Sequence, residues 1–479
     1  MATKKDLVEA YGFSRRRLVT AFVSGAPGGR EVEPARPGRT VVAGVALAVL
    51  LLAGAAIAGV FSDRADEGWQ DQAGLVVDKD SGALYVVLED DAIPGSDEPT
   101  LRSVVNVTSA QLILGIENAA AQSVPGSDIA TTRKGPPIGI LEAPATVPPA
   151  GDLINDGWTA CTAAGDGVQL EVSGAADASE DEHAAFVVQS KGRQYLVAPA
   201  PDSGPDVPAT ARAYPLPDDA DALTTAIGVH GTVVRVPSAW VALFDTGGSL
   251  DADGLGVTGA GSQVSGALAA ALPKGTRIGD WYQTDDDRRF VVTADGAAEL
   301  DDFAFDVLTS SRLGGYRPHQ VRGDVDTESI PYAPTPPWAR SHWPVAGLEN
   351  PVSDGDQICT VLHTAPGAPP TVALAVDPGP AASAEGTGPA KVDVDVMSGH
   401  GAVVEDGDWS DEAGLPTLVD DRGMKYALRG DEAVHNLGYD GVDRVVVPDG
   451  WMELFQPGPE LSRDAALCPP TNDPDPACG

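Results

Sequence analysis

The chain has 479 residues with a formal net charge of −39, is 43% hydrophobic, and contains 55 glycines and 40 prolines. A chain this long and this apolar can bury several small cores, and its glycine and proline call for many turns between short elements. The negative charge repels polyanions, which excludes nucleic acid and anionic lipid as partners of the acidic part.

Residues 1–39 are the exception to that charge. Within 3–23, Leu7, Val8, Tyr11, Leu18, Val19 and Phe22 recur at helical spacing opposite Arg15, Arg16 and Arg17. Such a segment suits docking onto an anionic leaflet or a cytoplasmic neighbour, with Arg15, Arg16, Arg17, Leu18 and Phe22 carrying the contact. A basic tail that only sets topology would read the same way. Residues 24–39, rich in Gly, Pro and Arg, form a linker.

Residues 40–61 read as one transmembrane helix. The run Val41 to Phe61 holds no charged residue, and as a helix it would extend about 31 Å, the thickness of a bilayer's hydrocarbon core. A cleaved signal peptide would have a shorter apolar run nearer the start, although Ala56, Ile57 and Ala58 resemble a cleavage site. The residues before the span carry +4 and those after it −43, so the N-terminus is expected in the cytoplasm and the bulk outside. All four cysteines, Cys161, Cys359, Cys468 and Cys478, follow the span, an even number in an oxidising compartment.

The outer region carries echoes. Leu75–Val77 and Leu84–Leu88 flank an Asp- and Gly-rich turn, a hairpin signal, and Val107 to Leu114 suits a helix ending at Gly115. Gly82-Ala83-Leu84-Tyr85 is echoed by Gly192-Arg193-Gln194-Tyr195, by Gly423-Met424-Lys425-Tyr426 and, more loosely, by Asp287-Arg288-Arg289-Phe290. A second echo pairs Val236-Pro237-Ser238-Ala239-Trp240-Val241-Ala242-Leu243-Phe244 with Val447-Pro448-Asp449-Gly450-Trp451-Met452-Glu453-Leu454-Phe455. These predict a mainly β, α+β region of four small hairpin-plus-helix units at 62–128, 181–262, 263–326 and 409–467. The units surround a central β-rich domain contributed by 129–180 and 327–408, and 468–479 form a tail. Trp158 to Cys161 and Ile358 to Leu362 are apolar, strand-like stretches of that central domain. Cys468 and Cys478, ten apart, could form a local staple; the sequence leaves the connectivity of the four cysteines open.

Catalytic signatures are missing. No phosphate-binding G-x-x-x-x-G-K-[ST] loop, G-x-S-x-G or H-E-x-x-H occurs, and the seven histidines stand singly. Asp78, Asp80 and Gly82 resemble the start of a calcium loop, but Gly82 stands where a side-chain ligand is needed. Leu243-Phe244-Asp245-Thr246-Gly247 resembles an aspartic-protease motif, yet the echo supplies Gln456-Pro457-Gly458 where the second aspartate should stand. No catalytic residue, metal or cofactor is expected.

Phe13 to Phe22, the single span, Gly68-Trp69, Asn106 to Ala110, Pro136 to Pro144, the Trp158-to-Cys161 stretch and Leu461 to Leu467 together resemble the EccB family. EccB is the single-pass core component of the actinobacterial type VII (ESX) secretion system. The resemblance runs nearly end to end. It implies four repeat units around a central domain, a Cys161–Cys359 disulfide, and residence in the inner membrane with the EccC ATPase, EccD, EccE and other EccB copies. The implied function is a non-enzymatic structural subunit that anchors and scaffolds the periplasmic side for protein export. The alternative is a membrane-anchored ATP hydrolase of the same system, since family members are sometimes labelled ATPases.

Overall fold

The computed structural model describes residues 68–88, 101–115, 119–163, 167–174, 178–201, 209–217, 220–231, 233–333, 335–344, 347–353, 356–377, 391–410, 412 and 414–471. The basic N-terminal segment and the apolar run 41–61 lie outside the described residues. Among those described, no helix is long and apolar enough to cross a membrane. Residues 66–479 form one compact unit.

The first sheet shows how local chemistry sets the pattern. Gly74–Asp78 and Leu84–Val87 pair antiparallel around a turn fixed by Asp78, whose carboxylate accepts from the Asp80 N–H at 2.9 Å and the Ser81 hydroxyl at 2.6 Å. Gly82 at φ 73° supplies the left-handed residue that closes the hairpin. Leu101–Ser103 completes an antiparallel meander. The helix Val107–Leu114 follows, capped by Asn106, whose side chain accepts from the Ser109 N–H, and stopped at Gly115. Gln122–Val124 then returns parallel to the first strand, and isolated bridges lay Lys134 and Ile138 beside the third.

Three further sheets follow the same order of connections. In the second, Phe186–Ser190, Arg193–Ala200 and Thr210–Pro215 form the meander, with Val234–Arg235 and Asp245–Thr246 as parallel edges. In the third, Trp281–Gln283, Arg289–Val292 and Ala297–Leu300 are flanked by single bridges at Gln320 and Tyr332. In the fourth, Ala402–Gly407, Leu415–Val419 and Met424–Ala427 are flanked by Val446–Pro448 and Gln456–Pro457.

The fourth sheet corrects the frame of the first echo. Tyr85, Tyr195 and Phe290 stand on the second strand of their meanders, whereas Tyr426 stands on the third, the place that Tyr214 takes in the second sheet. The Gly423 turn therefore joins the second and third strands. The first strand of this sheet is Ala402–Gly407, which lies within the 327–408 expected for the central domain. Turn chemistry marks a hairpin without saying which hairpin of a meander it closes.

The central sheet has six strands in the order Lys391–Val396, Gly167–Val172, Trp158–Ala163, Gln357–His363, Thr371–Asp377 and Ser179–Glu180. Residues nearly two hundred apart thus lie side by side. The cores cross the sheets as well. Leu75, Val86 and Leu112 of the first sheet and its helix share one core with Leu418, Tyr426 and Leu461 of the fourth. Leu196 and Tyr214 of the second share another with Val291, Phe303 and Leu308 of the third. Trp338, Trp343 and Leu348 fill that second core as well, so part of 327–408 serves these two sheets and not the central one.

Candidate functional site

Alternation along the central strands decides what each face can do. Trp158, Ala160, Ile358 and Leu362 point to one face, while Cys161, Cys359 and Val361 point to the other. Cys161 and Cys359 oppose each other in register with Cα atoms 4.0 Å apart, and a disulfide joins them across 198 residues. Cys359 is buried and Cys161 partly exposed.

The Trp158 face receives both copies of the Val-Pro-x-x-Trp-x-x-Leu-Phe stretch in one core. Each folds into a short helix after an edge strand, Ser238–Val241 in one and Asp449–Met452 in the other, with Trp240 and Trp451 fully buried. Phe455 meets the Trp158 ring edge-on at 5.4 Å. The two helices touch each other. Trp451 Nε1 donates to the Leu243 carbonyl at 3.1 Å, and Gly450 is so near the Ala242 carbonyl that a Cβ would overlap it. Trp240 Nε1, in the matching place, has no hydrogen-bond partner among the described residues.

The protease-like Asp-Thr-Gly is explained at the same junction. Gly247 lies against the Tyr214 ring, as Gly458 of the echo lies against Tyr426, and a side chain at either would strike the ring. The glycines are therefore packing residues. Asp245 pairs with Arg212, and the Tyr214 hydroxyl donates to the His342 carbonyl. Burial pushes both phenols well above their ordinary value. Tyr426 donates to the buried Asp420 carboxylate, which also binds Arg422.

One carboxyl pair lies beside the junction. Burial, and then the Asp449 carboxyl, raise Asp406 above its ordinary value, against the pull of Lys425 Nζ at 3.5 Å. Among the described residues, no group of three or more His, Cys, Asp or Glu is placed to hold a metal. His363, at the end of its central strand, stands 3.0 Å from Glu180 and 3.6 Å from Asp156.

The structure thus brings Cys161 and Cys359 together. Cys468 is buried at the end of the helix Arg463–Leu467, is itself in a disulfide, and accepts at its carbonyl from the Gly139 N–H at 3.0 Å. Cys478 and the docking residues Arg15, Arg16, Arg17, Leu18 and Phe22 lie outside the described residues. Sequence reasoning missed Gly247, Gly450 and Gly458 as contact residues, although the echo that aligns Gly247 with Gly458 was the available signal.

A family model described as "Type VII secretion system ESX-1, transport TM domain B" matches residues 1–471. The chain belongs to this family, EccB. An EccB1 of Mycolicibacterium smegmatis, named an ESX-1 secretion system ATPase, is 28% identical over 466 residues, covering 90% of this chain and 87% of that one. An EccB5 of Mycobacterium tuberculosis, likewise named an ATPase, is 32% identical over 155 residues, or 32% of this chain and 28% of the relative. A chain of an intact ESX-5 inner membrane complex superposes with TM-score 0.59 at 21% identity, covering 100% of this chain and 98% of that one. A chain of an EccB3 dimer from the ESX-3 core complex superposes with TM-score 0.59 at 21% identity, covering 82% and 99%. At that identity the likeness establishes a shared mainly β, α+β fold.

Proposed function

We propose that the chain is a non-enzymatic structural subunit of a type VII secretion membrane complex, anchored by residues 41–61 and scaffolding its extracytoplasmic side. We infer four repeat units, one per four-, five- or three-stranded sheet described above, around the central sheet. The observation that carries the reading is the interlock: sheets from opposite ends of the chain share cores, and both echo copies seat on one face of a disulfide-tied sheet. Near that junction Asp245, Asp420 and Tyr426 are held in structural pairs, which suits a rigid spacer. EccC, EccD, EccE and further EccB copies are the proposed partners, with residues 3–23 docking on the cytoplasmic side. Purification of the full chain from native membranes in mild detergent, followed by mass spectrometry, should recover those subunits. Deleting residues 2–23 should leave insertion intact and lose the ATPase subunit; unchanged recovery would refute the docking role.

The second reading, an ATP hydrolase, is favoured by the relatives' names alone. Micromolar ATP binding by the purified chain, abolished by one point substitution, would install it in place of the first.

A further inference from the structure

The third sheet carries a basic loop on a strongly acidic outer region. Residues 311–323 hold Arg312, Arg317, His319 and Arg322 and no Asp or Glu. Lys274 and Arg277 lie on the segment packed beside this loop, with Pro273 against Gly323 and the Tyr316 ring over Gly261, whose N–H bonds the Ile278 carbonyl. All six cationic or ionisable side chains are exposed. Among the described residues, Lys274, Arg312, Arg317 and Arg322 form no ion pair with a carboxylate.

The loop is held in place. The Asp280 carboxylate, almost fully buried, accepts from the Tyr316 hydroxyl at 2.5 Å, the His319 N–H at 3.0 Å and the Arg277 N–H at 2.9 Å. A backbone bridge from Gln320 to Trp281 joins the loop to the edge of the sheet. The cations therefore sit on a fixed frame, which lowers the entropy cost of ordering them against a partner.

The same sheet carries the complement. Trp281–Gln283 runs from the loop to the turn bearing Asp285, Asp286 and Asp287, all exposed. Arg288, next in the chain, is held by Glu299, Nε to Oε1 at 2.8 Å, and is shared between that carboxylate and Asp286, so the three carboxylates of the turn keep an excess of negative charge. Cations near one end of a three-residue strand and carboxylates at the other make the unit self-complementary under a two-fold rotation, because each contact is then made twice.

We propose that the basic loop 311–323, with Lys274 and Arg277, is a docking surface for a second copy of this chain, and that it receives the partner's Asp285–Asp287 turn. The choice of occupant follows from charge. Outer regions of −43 repel one another, and a local excess of cations meeting an acidic strip is where charge favours their approach. The inference rests on the reading of the chain as a subunit that meets other copies of itself.

Full-length chain, purified alone in detergent, tests it by sedimentation and mass photometry at low and high salt. Arg312→Glu with Arg317→Glu should weaken self-association about tenfold or more, as should Asp285→Lys with Asp286→Lys. Combining all four substitutions in one chain, or mixing the two double variants, should restore association, because the swapped charges again attract. Failure of both restorations would overturn the proposal, as would unchanged association in the loop variant. Because restoration is the deciding signal, a variant that merely misfolds cannot imitate success. Binding of phosphatidylglycerol vesicles that is lost in the loop variant, with association unchanged, would assign the loop to anionic headgroups and reject the second copy. Because no other secretion subunit is present, failure here leaves the membrane-complex reading untouched, and failure to recover EccC leaves this test intact.

Discussion

The two copies of the Val-Pro-x-x-Trp-x-x-Leu-Phe stretch fold alike, seat on the same face of the same sheet, and yet do different work. In the fourth unit, Gly450 lets the helix press on the Ala242 carbonyl, and Trp451 donates to Leu243. In the second, Ala239 stands where Gly450 does, and the Trp240 indole N–H is buried with no partner among the described residues. The carboxyl pair Asp406 and Asp449 is matched in the second unit by Ser190 and Ser238. The comparison teaches that one fold pattern can be duplicated while the contact between the copies is asymmetric. The copy that lacks the Cβ, at Gly450, is the one whose tryptophan donates.

The largest effects should come from the tryptophans. Truncating Trp240 or Trp451 to Ala should each cost about 3–5 kcal/mol, since both fill the shared core. Phe at the same positions should separate them. Trp451→Phe additionally leaves the Leu243 carbonyl without its donor and should cost about 1 kcal/mol more than Trp240→Phe. Equal thermal midpoints for the two Phe variants would show that the asymmetry carries no energy.

The disulfide comes next and probes the face opposite both copies. Cys161→Ser and Cys359→Ser should lower stability equally, by about 2–5 kcal/mol, and the double variant should match either single one. Because the bond and Trp451 lie on opposite faces of the sheet, Cys161→Ser combined with Trp451→Phe should be close to additive in denaturant unfolding. Strong coupling would mean that the two faces are not independent.

Gly450→Ala should destabilise by about 1–3 kcal/mol, the usual cost of overpacking a filled core. Ala239→Gly should cost no more than about 1 kcal/mol, the helix-propensity difference. Reversed magnitudes in urea titrations would place the close contact at the wrong copy.

The smallest effect is the pH dependence of the carboxyl pair. Asp406 has a raised value in the folded chain, so its protonated form favours folding. Its contribution is complete below the unfolded value near 3.8 and is lost as pH rises through the raised folded value. Asp406→Asn should therefore flatten the stability profile in that window and leave the Ser190 side of the comparison unchanged. An unaltered profile would assign the pH dependence elsewhere.

The sequence by itself determined the local pieces. Asp- and Gly-rich turns, β-branched runs and an Asn cap specify the hairpin at 74–87 and the helix at 107–114, because those rules act within a few residues. The longer echo 236–244 and 447–455 marked a repeated unit for the same reason, and it kept its register when the looser Gly-x-x-Tyr phrase slipped by one strand. What only the tertiary structure decided was partnership. A turn at Gly423 looks alike whether it closes the first or the second hairpin, and the answer came from Ala402–Gly407 pairing with Leu415–Val419. The pairing of Cys161 with Cys359 was implied by the family resemblance and is found, but the merging of the first unit's core with the fourth's and the roles of Gly247, Gly450 and Gly458 depend on what the chain brings across long separations. Burial and close approach are properties of the packed whole, and a glycine that makes room for a distant tyrosine or carbonyl carries no mark of it in its own neighbourhood.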